Sequence, residues 1–222
     1  MSPLLELFLD LLFPPKCMLC GALLKKEEQT LCRNCACSEL PEITGKAEEV
    51  PFFKECVAPF HYETPIRDAI LRLKFHGMQS YAEQFAAWMA VLVKEKLAGK
   101  YDVISWVPCS RLRKWTRGFD QAKLLAQALA KELDCEAVST LKKIRNNRKQ
   151  STISNPAARR ANVMGVYRVP NPELIRGKRI LLIDDVLTTG ATLSECGKML
   201  RMAGSGELVC AVIASAHNRK DK

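Results

Sequence analysis

The sequence has no apolar run long enough to cross a bilayer and no internal repeat. A membrane span and a solenoid are therefore not expected. The first apolar stretch, Leu4–Phe13, is interrupted by Glu6 and Asp10 and has no basic segment ahead of it, so a secretory leader is not expected either. Leu4, Leu5, Phe8, Leu11 and Leu12 fall on one helical face. That face is expected to dock on the protein itself; peripheral contact with a membrane or with a partner protein is the alternative. Negative charge is in deficit: 24 Asp and Glu stand against 34 Lys and Arg, a formal net charge of +10. An anionic partner is favoured, but the balance does not choose between nucleotide, nucleic acid and membrane. A disulfide framework is missing too. The ten cysteines are concentrated early in the chain, and the later ones stand singly in apolar surroundings. That pattern suits a cytoplasmic protein with a metal site and buried thiols.

With 222 residues, 48% of them hydrophobic and 26% charged, the chain can bury a core and carry a small module besides. Its organising stretch is Arg179–Thr192. Ile180, Leu181, Leu182 and Ile183 run straight into Asp184 and Asp185. Such a short apolar run reads as a strand buried on both faces of a parallel sheet, with the acids at its C-terminal end. Thr188, Thr189, Gly190, Ala191 and Thr192 then open a helix. Free backbone N–H groups, hydroxyls and the helix dipole suit a phosphate there, and Gly190 lets it approach closely. Carboxylates only accept hydrogen bonds, and ribose hydroxyls donate them. A phosphate cradle beside two acids therefore fits a phosphorylated sugar. The plain alternative is a buried strand, an Asp-rich turn and an N-capped helix.

Cys17 and Cys20 form one CxxC knuckle, Cys32 and Cys35 a second. Two knuckles a short loop apart can close four thiolates around one zinc ion, leaving no open position, so the site is expected to be structural. Free thiols or a redox pair are the alternatives, and Cys37 can stand in for Cys35.

Pro14-Pro15 ends the first helix, and Glu39–Phe53, rich in charge, Pro and Gly, reads as a linker. These divide the chain into a module over 1–50 and a domain over 51–222. In that domain Cys56–Tyr62 reads as a strand, and Thr64 caps a helix from Pro65 to Phe75, closed by Lys74, Phe75 and His76. Tyr81–Leu97 is an amphipathic helix with Phe85, Trp88, Met89 and Leu92 inward, and Tyr101–Val107 a buried strand. The loop after it carries Arg111, Arg113, Lys114 and Arg117, and Asp120 caps a helix from Gln121 to Leu133. A basic flexible arm over about 142–162 includes Arg145, Gln150, Arg159 and Arg160 without a strong hydrophobic period. Val163–Val169 reads as a strand returning to the core, Leu193–Met202 as a helix and Leu208–Ala214 as a last buried strand. The alternation argues for a parallel α/β sheet.

The acid pair with Thr188–Thr192 resembles the loop that binds 5-phosphoribosyl pyrophosphate (PRPP) in type I phosphoribosyltransferases. The CxxC head, the RxRKxxRGF segment from Arg111, the arm and this loop, in that order, are similar to the ComF family of bacterial phosphoribosyltransferase-like proteins over nearly the whole chain. The resemblance implies an α/β fold: a type I phosphoribosyltransferase-like parallel sheet flanked by helices, with an N-terminal four-Cys zinc-finger module. It implies that Asp184 and Asp185 hold ribose hydroxyls and that Thr188, Thr189, Gly190, Ala191 and Thr192 wrap the 5′-phosphate. Arg111, Arg113, Lys114, Arg117, Gln121, Arg145, Arg159 and Arg160 would meet pyrophosphate or DNA phosphate, with Trp115 or Tyr167 stacking on bases. Asp120 stands where family members usually carry Asn. Magnesium would accompany PRPP. The implied partners are single-stranded DNA, a DNA-uptake helicase or translocase and a recombination-loading protein, in the cytoplasm or at the inner face of the membrane. The alternative is a Mg-dependent phosphoribosyltransferase in nucleotide or base salvage; no base-reading segment or general base is recognisable for it.

Overall fold

The computed structural model describes residues 14–40, 49–75, 80–145 and 155–216. The apolar helix expected over Leu4–Phe13, as well as His76 and Gln150, lies outside them.

The cysteine head carries one short helix, α1 (Arg33–Ala36). Strands β1 (Glu55–Val57) and β2 (Phe60–His61) follow, where one continuous strand was expected. Helices α2 (Ile66–Phe75) and α3 (Ser80–Lys96) lead to β3 (Val103–Trp106). The basic segment expected as a loop is a helix, α4 (Arg111–Arg117). The Ser110 side chain accepts the Arg113 N–H at its start, and left-handed Gly118 ends it. It buries no residue, which is why no hydrophobic period announces it. Helix α5 (Gln121–Glu132) is capped by Asp120, as the sequence suggests.

The stretch read as an arm has structure at both flanks. Strand β4 (Lys142–Lys143) pairs antiparallel with β5 (Tyr167–Arg168), and α6 (Pro156–Val163) lies between them. The strand expected over Val163–Val169 thus shrinks to two residues and joins this ribbon, not the main sheet. Strand β6 (Ile180–Leu187), helix α7 (Ala191–Met202) and strand β7 (Leu208–Ser215) complete the order.

The main sheet is parallel throughout. Its order is β1–β7–β6–β3, with β2 also on β7. Both faces are covered. Leu181, Ile183, Val209, Ala211 and Ile213 pack under α2, α3 and α5. Ile180, Leu182, Leu208, Cys210 and Val212 pack on the α7 side. Alternation along each strand makes the division, and two buried faces make the runs continuously apolar. Ile180 to Ile183 are fully enclosed, each side chain contributing roughly 1.5–3 kcal/mol. The end of the expected linker is also packed: Val50 is buried, and Phe53 lies so close to Gly197 that a Cβ there would meet its ring at 2.6 Å.

The head is docked on this core. Cys17, Met18 and Leu19 are buried in the same cluster as α2 and α3. The guanidinium of Arg72 donates to the carbonyls of Met18 and Leu19, both at 2.8 Å, and the Tyr81 hydroxyl donates to that of Lys16 at 2.6 Å.

Candidate functional site

Strand β6 has unequal neighbours. Its pairing with β3 stops at Ile183, opposite Trp106, whereas β7 stays beside it to Leu187. Asp184 and Asp185 therefore sit in the strand's second half, where one edge has come free. The position matches the place where open α/β sheets leave a crevice. The Asp185 N–H donates to Asp184 Oδ1 at 2.9 Å. Burial, and then the neighbouring carboxylate of Asp185, pushes the Asp184 carboxyl well above the usual range. Asp185 is balanced differently: Lys74 Nζ, from the last turn of α2, lies 2.8 Å from its Oδ2.

The bend after β6 is open. Thr188 is exposed, Thr189, Gly190 and Thr192 are half-buried, and Ala191 is buried. Gly190 takes φ 67° and caps α7 without a side-chain hydrogen bond, so the first-turn N–H groups of that helix are left facing the bend. A small recess is lined by Asp184 and by the backbone turn that includes Gly190 and Ala191.

A cavity of about 660 Å³ joins these features to the cations. Arg113 and Arg117, four residues apart on α4, face into it. Lys143 and Arg159 line it from the ribbon and α6. Gln121 lines it too, buried, and its Nε2 has no hydrogen-bond partner. A donor left unpaired in the wall of a polar cavity is available to an acceptor on a ligand or to an ordered water. Asp120 has other work: it caps α5 through the Lys123 N–H and accepts the Cys109 N–H at 3.0 Å, tying the end of the β3 loop to the helix.

Several expected contacts are not brought together. Arg111 and Lys114 lie on the outer face of α4 with Trp115, exposed and away from the cavity. Arg145 donates to the Met164 carbonyl at 2.7 Å and does not line the cavity. The side chain of Arg160 lies outside what is described. Tyr167 is buried in the cavity wall, with the Lys143 ammonium 5.4 Å from its ring centroid, and is not an exposed stacking platform. Two cations that line the cavity were not among the expected site residues, Lys74 and Lys143. Lys74 follows buried Leu73 at a helix end, and Lys143 falls within the stretch expected as a basic flexible arm; nothing local marks either one as a cavity residue. Burial, then the charge of Arg113, lowers the Lys143 ammonium to about 8.

In the head, the four Sγ atoms of Cys17, Cys20, Cys32 and Cys35 lie within 4.8 Å of one another, and those of Cys20 and Cys32 are 3.7 Å apart. A tetrahedral zinc with bonds near 2.3 Å needs sulfurs about 3.8 Å apart. The residues therefore fit a structural zinc, and Cys35, not Cys37, completes the set. Burial opposes ionisation of the Cys17 thiol, but N–H groups of Cys20, Cys32 and Leu19 outweigh it and bring it down to about 6.

A parallel sheet with an acid pair and an open threonine–glycine bend at one strand end, carrying a four-cysteine ribbon, defines a phosphoribosyltransferase-like α/β protein with a zinc-ribbon head. Comparison with known sequences agrees: residues 120–222 match the phosphoribosyl transferase domain and residues 8–50 the double zinc ribbon domain. The chain belongs to the ComF family. It is 30% identical to the DNA utilization protein YhgH of Escherichia coli O157:H7, over 81% of this chain and 82% of that one. It is 29% identical to competence protein F of Haemophilus influenzae, over 87% and 82%. It is 26% identical to competence protein ComFC of Streptococcus pneumoniae, over 87% and 96%.

Proposed function

We propose that the cavity holds a phosphoribosyl ligand of the PRPP type and that the basic surface around it handles single-stranded DNA during uptake. The observation that carries the first part is the convergence of opposite chemistries in one cavity. Asp184 and Asp185 accept from sugar hydroxyls; the Thr188–Thr192 bend meets the 5′-phosphate; Arg113, Arg117 and the orphaned Gln121 Nε2 donate to the remaining anion. The second part is supported by the net charge of +10, by Arg111, Lys114 and Trp115 on the outer face of α4, and by relatives named for competence and DNA utilization. Cations track a phosphate backbone, and an exposed indole stacks on any base. A DNA translocase and a recombination-loading protein are the partners this reading expects.

Magnesium held directly by the acid pair does not fit the donor set. Asp185 already carries an ammonium, and the four cysteines are the one group of three or more potential metal ligands among the described residues. A second reading, transfer of the phosphoribosyl group to a nitrogen acceptor, is favoured by Lys143. With its ammonium near 8, a neutral amine is within reach to take the acceptor's proton as pyrophosphate leaves.

Titrating PRPP and single-stranded DNA against each other tests the proposal. One equivalent of PRPP should bind, DNA affinity should fall steeply with salt, and R113A/R117A should weaken PRPP. DNA binding indifferent to salt and to the α4 cations would refute the DNA half. Consumption of PRPP with an acceptor base, lost in K143A, would select the second reading.

A further inference from the structure

The acid pair crowds two carboxylates where burial opposes charge, yet the ion balancing it belongs to the protein. Lys74 Nζ stands 2.8 Å from Asp185 Oδ2, and both side chains are largely enclosed, at 17% and 21% exposure. The lysine leaves the C-terminal turn of α2, where the helix dipole favours a cation. Its ammonium lines the same cavity as Arg113, Arg117 and Gln121.

We propose that Lys74 is the built-in cation of this cleft, bridging Asp185 to the ligand's phosphate oxygens, so that a phosphoribosyl ligand binds without a divalent metal. The proposal rests on the reading of the cleft given above. An ammonium carries three donors. One serves Asp185, and the other two remain for oxygens entering the cavity. A divalent ion demands near-octahedral oxygen ligands at about 2.0–2.1 Å. At the acid pair it would lie against the ammonium, and one carboxylate oxygen is already committed to the Asp185 N–H. Like charges at that separation repel strongly in an enclosed site. Lys74 thereby performs, as a fixed side chain, the charge balancing that a metal would supply, and it leaves the acid pair able to accept a sugar hydroxyl. The cleft should favour ligands that arrive without a metal.

The test is PRPP binding by calorimetry, in excess EDTA and in excess magnesium, for the wild type, K74M and K74R. The wild type should bind within about threefold under the two conditions. In EDTA K74M should bind about tenfold more weakly, the loss of a charge-assisted contact, and should recover in magnesium as the metal enters the vacated place. K74R should stay metal-independent. Wild-type binding abolished by EDTA would overturn the inference and leave the phosphoribosyl site standing, and this arm needs no variant to fold. K74M matching the wild type in EDTA would overturn it equally. No PRPP binding under either condition would overturn the site reading itself, and the inference with it.

Discussion

The cysteine head and the acid pair pose one problem at two places in the molecule. Each gathers groups that become anionic: four thiols within 4.8 Å, and two adjacent carboxylates at the free edge of β6. The head answers with backbone N–H donors around Cys17 and a closed tetrahedral set, which suits zinc and leaves no room for a substrate. The acid pair answers with a lysine from another element and keeps one side open to a cavity. A closed set makes a structural site, and an open one leaves residual charge for a ligand to satisfy.

Removing zinc attacks the comparison with the largest effect. Structural zinc contributes on the order of 10 kcal/mol to small metal-ordered modules. C20S/C32S should lose one zinc per chain by atomic emission and release the contacts of Arg72 and Tyr81 with the head. A variant that keeps its metal and its melting temperature would contradict the four-cysteine assignment. Next, K74M strips the acid pair of its cation. Unfolding in urea should show a loss of about 1–3 kcal/mol, since a charge is left unpaired in a largely enclosed place. In K74M/D185N part of that loss should return.

These two outcomes separate what was legible in the sequence from what was not. The Ile180–Ile183 run into Asp184 and Asp185 was legible because burial on both faces of a parallel sheet leaves a continuous apolar signature. The cysteine knuckles were legible because their chemistry is local in sequence. The walls of the cavity were not. Lys74 reaches Asp185 from a residue 111 positions earlier, by the packing of α2 on the sheet. Helix α4 had a start signal in Ser110 and a stop signal in Gly118, but its lack of a buried face hid it, and with it the division of its cations into inward Arg113 and Arg117 and outward Arg111 and Lys114.

A pH series sharpens the comparison by a smaller amount. The folded state holds the Asp184 carboxyl above its unfolded value, through burial and then Asp185. Below the ordinary carboxylate range both states are protonated and nothing is lost. As pH rises from there toward the folded value, the folded state binds more protons than the unfolded one, so stability falls. D184N should therefore be more stable than the wild type above neutral pH, by roughly 1–2 kcal/mol, with the gap closing near pH 4. A gap that widens on acidification would reverse the sign and refute the burial argument. The smallest effect concerns the outer face of α4. R111A/K114A should lower the salt slope of single-stranded DNA binding by about 1 per lost phosphate contact and leave PRPP affinity unchanged. Equal loss of both ligands would merge the two faces.

The most direct measurement is calorimetric titration of PRPP into the wild type and into D184N/D185N, each checked for intact zinc content. One equivalent should bind to the wild type and none measurably to the variant. Equal binding by both proteins, or by neither, would contradict the assignment of this strand end to a phosphorylated pentose.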